Sequence, residues 1–351
     1  MKELLRDNIR DLVPYSCARD EFTGEAEVYL DANENFFDYL GDGYNRYPDP
    51  LCRDLRLEIE KKIGLPFNKT VIGNGSDELI DNLIRIFCEP KKESILIMPP
   101  TYGAYKVFAD VNDVSCRELP LNKDFSIDVD GFTNFSKLNS DSTDRCKIAF
   151  LCSPNNPTGE AQSNEVIAKM ASSFSGILVV DEAYGEFSDK ESAVDLIDKF
   201  PNIVVLKTFS KCWGLAGARL GMMVADEYIC EVMNKVKAPY NVGIPAQKAG
   251  LDQLAKSKEI LIERDDVIKR RNEYFEKFKT LEIVEKVYES DANFLLMKTK
   301  NSDQICKELQ KKGIIIRNRN KDLHCRNCVR ITIGSEEECK RVFDEMSEIK
   351  L

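Results

Sequence analysis

Histidine is almost absent from this chain, with one residue, His324, among 351. That scarcity bears on the segment "HCRNC", in which Cys325 and Cys328 follow His324. A structural zinc site takes four nitrogen or sulfur ligands, and the chain offers no second Cys-x-x-Cys pair to complete such a set. We therefore expect a polar loop before the strand "CVRITIG", and no metal centre.

Long apolar runs are also missing. No stretch approaches the ~20 residues that a membrane-spanning helix needs, so we expect no membrane partner. The first residues, "MKELLRDNIRDL", contain no apolar segment of the secretory type, and Leu4, Leu5, Ile9 and Leu12 are spaced for a short amphipathic helix. Twelve cysteines are scattered without a dense framework, which indicates reduced thiols and a cytoplasmic location.

An excess of basic residues is absent as well, because 60 acidic residues face 50 basic ones and the net charge is −10. Nucleic-acid-binding proteins usually carry a basic surface, so we expect no nucleic-acid partner. A composition of 43% hydrophobic and 31% charged residues is that of an ordinary globular protein, here one that acts on small molecules. The length favours one large and one smaller domain.

Short apolar runs alternate with helical patterns from about residue 70 to 240. The runs include "CKIAFLCSP", "GILVVDEAY", "NIVVLKTFS" and "RLGMMVAD". This alternation predicts an α/β fold, a mostly parallel central sheet flanked by helices. After about residue 245 a long charged helix leads into a smaller α+β layer. We predict an N-terminal arm over 1–40 that packs apart from the large sheet, a large domain over 41–244 and a small C-terminal domain over 245–351.

Polar residues follow the predicted strands. In open α/β sheets, ligands bind beyond the carboxyl ends of the strands. The residues found there are Gly75, Ser76 and Asp77 after "TVIGN", Tyr102 after "SILIMPP", Asn156 and Gly159 in "SPNNPTG", Asp181 and Tyr184 after "ILVV", and Ser210, Lys211 and Arg219 after "VVLKTF".

Each of these residues has an ordinary structural explanation when taken alone. "GNGSDE" can be a helix cap, "SPNNPTG" a turn, and a tyrosine part of the core. Together, five strand ends supply an anion cradle, an aromatic ring, an amide, a carboxylate and a lysine. Pyridoxal 5'-phosphate needs that set: a phosphate cradle, a ring stack, a carboxylate for the pyridine nitrogen, donors to the phenolic oxygen and a lysine for covalent attachment.

The chain resembles the class I and II group of the fold-type I PLP-dependent aminotransferases, nearly from end to end. The motifs that carry the resemblance are "LDANEN", "NRYPDP", "GNGSDE", "MPPTYGAY", "CSPNNPTG", "VVDEAYGEF", "TFSK", "GLAGARLG", "VKAPYNVG" and "CVRITIGSEEE". Among them, "NRYPDP", "PPTYG.Y" and "APYNVG" are similar to the subgroup that acts on histidinol phosphate.

The resemblance implies a role for each matching residue. Lys211 matches the lysine that bonds the cofactor and shuttles a proton between Cα and C4′, and Asp181 the carboxylate that keeps the pyridine nitrogen protonated. Asn156 and Tyr184 match donors to the phenolic oxygen, and Tyr102 matches the residue stacked on the ring. The implied phosphate cup comprises the amides of Ser76 and Asp77 with Thr208, Ser210 and Arg219.

The resemblance also implies substrate contacts and a homodimer with shared active sites. Arg330 is similar to the arginine that binds the far anionic group of the substrate, and Arg317 to a second arginine of that pocket. Tyr15 matches a residue on the imidazole side, and Asn156 matches a further substrate contact. Tyr47, in "NRYPDP", is similar to a tyrosine that reaches into the phosphate site of the partner subunit.

The implied reaction is amino transfer between histidinol phosphate and 2-oxoglutarate in histidine biosynthesis. Three alternatives stay open: an aromatic amino acid aminotransferase, a threonine-phosphate decarboxylase of the same fold, and a non-catalytic PLP-binding regulator. The last is disfavoured because no DNA-binding segment is appended and every expected catalytic position is filled.

Overall fold

The computed structural model describes residues 1–15, 27–140 and 144–350, and a seven-stranded sheet forms the centre of its larger unit. The strands of this sheet are β1 (Thr70–Asn74), β2 (Ser94–Ile97), β3 (Ser115–Glu118), β4 (Cys146–Cys152), β5 (Ile177–Asp181), β6 (Ile203–Thr208) and β7 (Leu220–Ala225). The order across the sheet is β1-β7-β6-β5-β4-β2-β3. This architecture confirms the predicted α/β class, and β7 is the one strand of this sheet that runs antiparallel to both its neighbours.

Helices cover both faces of the sheet and continue into the C-terminal part. They are α1 (Asp7–Arg10), α2 (Arg53–Ile63), α3 (Gly75–Phe87), α4 (Ala104–Val111), α5 (Val129–Ser140), α6 (Asn164–Ser173), α7 (Glu227–Val236), α8 (Ile244–Ala255), α9 (Ser257–Phe278), α10 (Ser302–Lys311) and α11 (Glu336–Glu348). No helix in the described ranges is both long and apolar enough to cross a membrane.

Alternate residues of each central strand enter two separate cores. On β5, Leu178 and Val180 pack on one side of the sheet, while Ile177 and Val179 pack on the other. Every residue of β4, β5, β6 and β7 is buried. Largely apolar strands of this kind are expected where helices cover both faces, and their charged residues, Lys147, Asp181 and Lys207, lie at or next to the strand ends.

Strand directions bring the functional ends to one edge. β4, β5 and β6 run parallel, so Cys152, Asp181 and Thr208 lie at their carboxyl ends. β7 runs the other way, and Gly221 near its start pairs with both Thr208 of β6 and Gly73 of β1. The end of β1 and the start of α3 therefore reach the same edge as Thr208.

The C-terminal unit is built on a four-stranded antiparallel sheet of order β10-β11-β9-β8. Its strands are β8 (Val284–Val287), β9 (Phe294–Thr299), β10 (Arg317–Asn318) and β11 (Cys328–Thr332). α9, α10 and α11 pack on it through a core that includes Tyr274, Phe278, Leu309 and Met346. The segment "GIIIRNR" pairs with β11 over two residues, Arg317 and Asn318, as a short edge strand.

Polar contacts join the two units. Arg271 of α9 is buried and donates from one guanidinium nitrogen to the backbone oxygens of Phe187 and Ala292. The amide of Asp291 donates to the carbonyl of Gly159 at 2.7 Å, and the Asp291 carboxylate accepts from the amide of Ala161 at 2.9 Å. The loop after β4 is thus fastened to the small unit.

The start of the chain differs from the expected separate arm. Leu4 and Leu5 are buried in the core on one face of the large sheet, and Lys147 donates to the Leu4 carbonyl. The amide of Arg6 donates to the Ile86 carbonyl at 3.0 Å, so the backbone is extended there and the expected helix is reduced to a 3-10 turn and α1. Tertiary hydrogen bonds replace the helical ones at this point.

Candidate active site

A cavity of about 170 Å³ lies at the carboxyl edge of the large sheet. A larger open groove of about 1030 Å³ lies between the two units and contains none of the predicted site residues. The small cavity is lined by ten residues predicted from the sequence, with Cys152, Ala183 and Ala216: Ser76, Asp77, Tyr102, Asn156, Asp181, Tyr184, Thr208, Ser210, Lys211 and Arg219.

Asp181 is the last residue of β5 and supplies a buried carboxylate at the floor of the cavity. Its Oδ2 accepts a hydrogen bond from the Tyr105 hydroxyl at 2.6 Å, and its Oδ1 accepts from the Ala183 amide at 3.1 Å. Burial raises the pKa of this carboxyl, while the two hydrogen bonds act in the opposite direction. A cation or an N–H donor in the cavity would therefore bind to Asp181 strongly.

Lys211 projects from the turn that follows β6. Phe209 and Trp213 are buried on either side of it, and the Leu215 amide closes the turn on the Phe209 carbonyl at 2.9 Å. The two anchored rings hold the turn while Lys211 stays exposed to the cavity, with Nζ 5.4 Å from the Tyr184 ring centroid.

The amine of Lys211 is more acidic than an ordinary lysine. Partial burial lowers its pKa, and the positive charge of Arg330 lowers it further, against the opposing charges of Asp181 and Asp77. A lysine with a lowered pKa is neutral, and so nucleophilic and basic, over a wider range of pH.

One end of the cavity is built to bind an anion. The amides of Ser76 and Asp77 lie in the first turn of α3, where backbone N–H groups have no acceptor within the helix. Arg219, in a left-handed conformation with φ of 54°, directs its guanidinium to the Asp77 carboxylate at 3.3 Å and the Ser210 hydroxyl at 3.5 Å. The Ser210 amide donates to the Thr208 hydroxyl at 3.1 Å, which orders the opposite wall.

Two glycines make this anion end possible. A Cβ on Gly75 would lie 2.7 Å from a guanidinium nitrogen of Arg219, and Gly75 has a φ of 76° that favours glycine. A Cβ on Gly221 would lie 2.2 Å from the Ser76 amide nitrogen. Side chains at these positions would therefore push the helix start and Arg219 away from the strand edge.

An amide and two phenols line the middle of the cavity. Asn156 is buried in the loop after β4, and Tyr184 packs edge-on against Phe294 with ring centroids 5.2 Å apart. Burial raises the pKa of the Tyr184 phenol to about 12, so it stays a donor at neutral pH. Tyr102 donates its hydroxyl to the Asp77 carboxylate at 3.2 Å, which fixes its ring at the cavity wall.

Arg330 of β11 contacts the wall of the cavity from the small unit. It donates to the side-chain oxygen of Asn156, and its guanidinium carbon lies 5.1 Å from the Phe294 ring centroid. Arg317 faces it across the β10–β11 pair. Burial, with the charges of Arg319 and Arg317, lowers the pKa of Arg330. We name Arg317, Arg319 and Arg330 the arginine cluster. Arg319 is paired with the Asp322 carboxylate, so the three arginines keep a net positive charge that suits a substrate anion.

Four predicted residues are not part of the cavity lining, and one of them, Arg330, touches the lining through its hydrogen bond to Asn156. Tyr15 is 71% exposed, and Tyr47 is 49% exposed and stacks on Tyr240 with centroids 4.5 Å apart. Arg317 is exposed on its edge strand. In this single chain, these side chains contribute no wall to the cavity.

Two neighbours of the cavity escape the strand-end argument. Tyr105 lies inside α4, three residues after Tyr102, where its helical spacing and complete burial look like those of a core residue. Arg319 follows the short β10, pairs with Asp322 and acts with Arg317 on the charge of Arg330; its spacing of two residues from Arg317 was the available signal.

The groups in the cavity fit pyridoxal phosphate. An anion-binding helix start, a buried carboxylate, a lysine amine and donors from an amide and a phenol meet in one cavity. Among the described residues no group of three His, Cys, Asp or Glu side chains is placed to hold a metal ion. Cys325 is buried in the turn before β11, and Cys328 is buried as the first residue of that strand.

Comparison with known proteins agrees with this fit. The family model of "Aminotransferase class I and II" matches residues 22–346. A histidinol-phosphate aminotransferase of Cytophaga hutchinsonii is 44% identical over 347 residues, which cover 98% of this chain and 97% of that one.

Solved structures share the fold. The histidinol-phosphate aminotransferase of Clostridium acetobutylicum has a TM-score of 0.77 at 24% identity, and the match covers 87% of this chain and 90% of that one. The Sinorhizobium meliloti enzyme of the same name, solved in complex with pyridoxal-5'-phosphate, has a TM-score of 0.77 at 20% identity and coverages of 88% and 84%.

Removing the charge of Arg330 should make Lys211 less acidic. In the cofactor-free protein we expect Arg330→Gln to raise the pKa of Lys211 towards its ordinary 10.5, because a nearby cation is lost. Competitive acetylation across pH, with mass spectrometry of the Lys211 peptide, measures the change. Arg326→Gln, on the exposed turn before β11, is the matched control and should leave the labelling curve in place. An unchanged curve in Arg330→Gln would contradict the electrostatic coupling.

Proposed function

The chain belongs to the class I and II aminotransferases, and on that premise we propose that it transfers an amino group between L-histidinol phosphate and 2-oxoglutarate, with pyridoxal 5'-phosphate as cofactor. The products are imidazole acetol phosphate and L-glutamate, in L-histidine biosynthesis. The observation that carries the proposal is the 44% identity with the Cytophaga hutchinsonii histidinol-phosphate aminotransferase over nearly the whole chain. The anion-binding cavity with its lysine and carboxylate supports it.

When bound, the cofactor supplies an aldehyde that bonds an amine covalently and a ring that accepts electrons from the substrate. Lys211 holds the cofactor and moves a proton at the substrate Cα, a task that its lowered pKa favours. Asp181 holds the proton of the pyridine nitrogen. Asn156 and Tyr184 donate to the phenolic oxygen, and Tyr102 stacks on the ring.

The phosphate of the cofactor is held at the helix start. The amides of Ser76 and Asp77, the hydroxyls of Thr208 and Ser210 and the guanidinium of Arg219 surround that end of the cavity. A helix amino terminus and a planar guanidinium both favour a dianion, so this end sets the direction in which the ring enters.

The arginine cluster binds the far anionic group of each substrate. Histidinol phosphate presents a phosphate and no carboxylate, whereas glutamate presents carboxylates, and a planar guanidinium accepts an oxygen pair from either. Arg330 serves both substrates, and Arg317 adds charge for the phosphate. Tyr15 lines the imidazole side, and Asn156 contacts the substrate as well.

The direct test of the function is a substrate panel. Histidinol phosphate, phenylalanine, tyrosine and threonine phosphate, each with 2-oxoglutarate, are compared by glutamate formation and CO2 release. We expect the highest kcat/KM with histidinol phosphate, because phenylalanine and tyrosine lack the phosphate for which Arg317 adds charge. We expect no CO2 from threonine phosphate, because the proposed reaction transfers an amino group and breaks no bond to a carboxylate. A higher kcat/KM with an aromatic amino acid, or CO2 from threonine phosphate, would replace the proposal with the corresponding alternative.

Borohydride reduction identifies the attachment residue in the same preparation. The reduced cofactor should remain on the peptide that carries Lys211 and be absent from Lys211→Ala. Lys207 is the internal control, because it is buried on β6 and paired with Glu182 at 3.0 Å and Glu186 at 3.6 Å. A label on Lys207 would refute the role of Lys211.

Loss of each arginine should distinguish the two substrates. We expect Arg330→Ala to weaken both half-reactions by about 2–4 kcal/mol in transition-state binding, because both lose a partly desolvated ion pair. Arg317→Ala should harm the histidinol phosphate half-reaction more than the glutamate one. Stopped-flow absorbance of the cofactor gives kcat/KM for each half-reaction.

Two further variants sharpen this comparison. Arg330→Lys should recover part of the loss, since a point charge cannot reproduce the planar fork. Arg326→Ala removes a cation from the exposed turn before β11 and should change neither half-reaction. A normal glutamate reaction in Arg330→Ala, or equal losses for both substrates in Arg317→Ala, would refute this division of roles.

A homodimer with shared active sites is also part of the proposal. Large apolar side chains are exposed along one segment of the single chain: Leu30, Phe36, Phe37, Tyr39 and Leu40. Contiguous exposed apolar residues mark interaction surfaces, and Tyr47 lies at the end of this segment. A second copy of the chain would cover them and receive Tyr47 in its phosphate site.

Mixed dimers test the sharing. We expect the inactive variants Tyr47→Ala and Lys211→Ala to regain activity when their subunits are exchanged, because some mixed dimers then contain one site with both residues intact. The measurement is the specific activity of the mixture, with exchange verified by mass spectrometry of the native dimers. If exchange occurs and no activity returns, Tyr47 acts within its own chain or has no role in the site.

We place the protein in the cytoplasm. The eleven cysteines in the described ranges are free thiols, and seven of the thiols with raised pKa values, Cys52 and Cys146 among them, are buried. Thiols persist in a reducing compartment, and burial keeps them protonated and unreactive.

A further inference from the structure

Tyr105 is a fully buried tyrosine whose hydroxyl belongs to the cavity floor. It lies on α4, its ring stacks on Phe150 with centroids 4.6 Å apart, and its hydroxyl donates to Asp181 Oδ2 at 2.6 Å. The ring also meets Tyr102 edge-on, with centroids 5.4 Å apart, so the core holds the hydroxyl beside Asp181 and Cys152.

The remaining contacts of Asp181 show what the Tyr105 hydroxyl contributes. The Ala183 amide donates to Oδ1, so each carboxylate oxygen receives one hydrogen bond from the protein and keeps capacity for a partner in the cavity. The titratable groups that face Asp181 are Asp77, Cys152, Glu182, Lys211, Tyr102 and Tyr184. Lys211 is the one basic side chain in this set, and the hydrogen bonds to Asp181 come from Tyr105 and Ala183 instead.

Burial and the carboxylates of Asp77 and Glu182 all favour a proton on Asp181. The hydrogen bond from Tyr105 favours the ionised form, and burial raises the pKa of Tyr105 itself well above its ordinary 10, so the phenol keeps its proton. The hydrogen bond from Tyr105, with a smaller contribution from the Ala183 amide, therefore stabilises the ionised form of the buried carboxylate.

We propose that Tyr105 is a positioning residue for the reaction: its hydroxyl keeps Asp181 ionised and aimed into the cavity, so that the shared proton stays on the pyridine nitrogen of the cofactor. This inference rests on the proposed function, because it concerns the same bound pyridoxal phosphate. Without the hydroxyl, the carboxylate is more basic and draws the proton from the nitrogen to itself. The ring then accepts electrons less well, and the step at the substrate Cα slows.

Tyr105→Phe removes the hydroxyl and keeps the ring that stacks on Phe150. A hydrogen bond to an ionised group is worth roughly a factor of ten or more in an equilibrium constant. We expect pyridoxal phosphate to bind about tenfold more weakly, as measured by quenching of Trp213, the single tryptophan, two residues from Lys211. kcat should fall by a similar factor.

A spectroscopic signature separates positioning from packing. In protein loaded with ¹⁵N-labelled pyridoxal phosphate, solid-state NMR at one fixed pH should show the ring nitrogen displaced towards the unprotonated value in Tyr105→Phe. The matched control is Tyr274→Phe, which removes the hydroxyl of another fully buried tyrosine ring, one that donates to the partly exposed Glu336 carboxylate at 3.0 Å in the small unit. That variant should leave the nitrogen signal and the cofactor affinity unchanged.

Two further proteins complete the test. In an Asp181→Asn background, Tyr105→Phe should add little to the loss of affinity, because the two residues act as one unit. Replacement of Tyr105 by 3-fluorotyrosine, a stronger donor of nearly the same size, should move the nitrogen signal in the opposite direction, and it gives a result even if the phenylalanine variant fails to fold.

If folded Tyr105→Phe has the same nitrogen signal and the same cofactor affinity as the unmodified protein, the proposed role of Tyr105 is wrong, while the proposed function of the protein is unaffected. An undiminished effect of Tyr105→Phe in the Asp181→Asn background would do the same. If the unmodified protein binds no pyridoxal phosphate at Lys211, the proposed function fails, and this inference fails with it.

Discussion

The reversed direction of β7 is the constraint on which the cavity depends. Because β7 runs antiparallel between β1 and β6, its first residues return to the edge where those two strands end. That return sets Arg219 beside the first turn of α3, and Gly221 lets the strand touch the helix backbone. An anion site with contributions from three separated segments follows from this one strand direction, and so does the placement of Lys211 at its border.

Electrostatic balance governs the rest of the cavity. A carboxylate and a lysine amine share a partly buried space, and each is displaced from its ordinary acidity by burial and by its neighbours. The residues that act on them come from different parts of the fold: Tyr105 lies on α4, and Arg330 lies on β11 of the small unit. The chemistry is therefore tuned by elements that do not themselves lie on the strand ends.

The sequence predicts the central sheet well because buried strands are continuous apolar runs, and a polar residue after such a run must lie at an edge. Asp181 and Lys211 are found by that rule. Tyr105 is not, since its partner lies 76 positions away and only three-dimensional packing brings the two together. The burial of Leu4 and Leu5 escapes prediction for a similar reason, because the periodicity of a short segment cannot reveal the surface on which it docks. The roles of all the predicted site residues stay predictions, and for Tyr15, Tyr47 and Arg317 the single chain also shows no place in the cavity lining.

The arginine cluster also bears on how a substrate arrives. The chain carries a net charge of −10, which repels an anionic metabolite at a distance. At physiological ionic strength the Debye length is about 8 Å, so that long-range repulsion is largely screened, and the local field of the cluster dominates over the last stretch of the approach. In the proposed function, capture is therefore a short-range event: the net negative charge keeps the protein dispersed, while the positive charge that the arginine cluster keeps beside Asp322 draws the anion into its binding place.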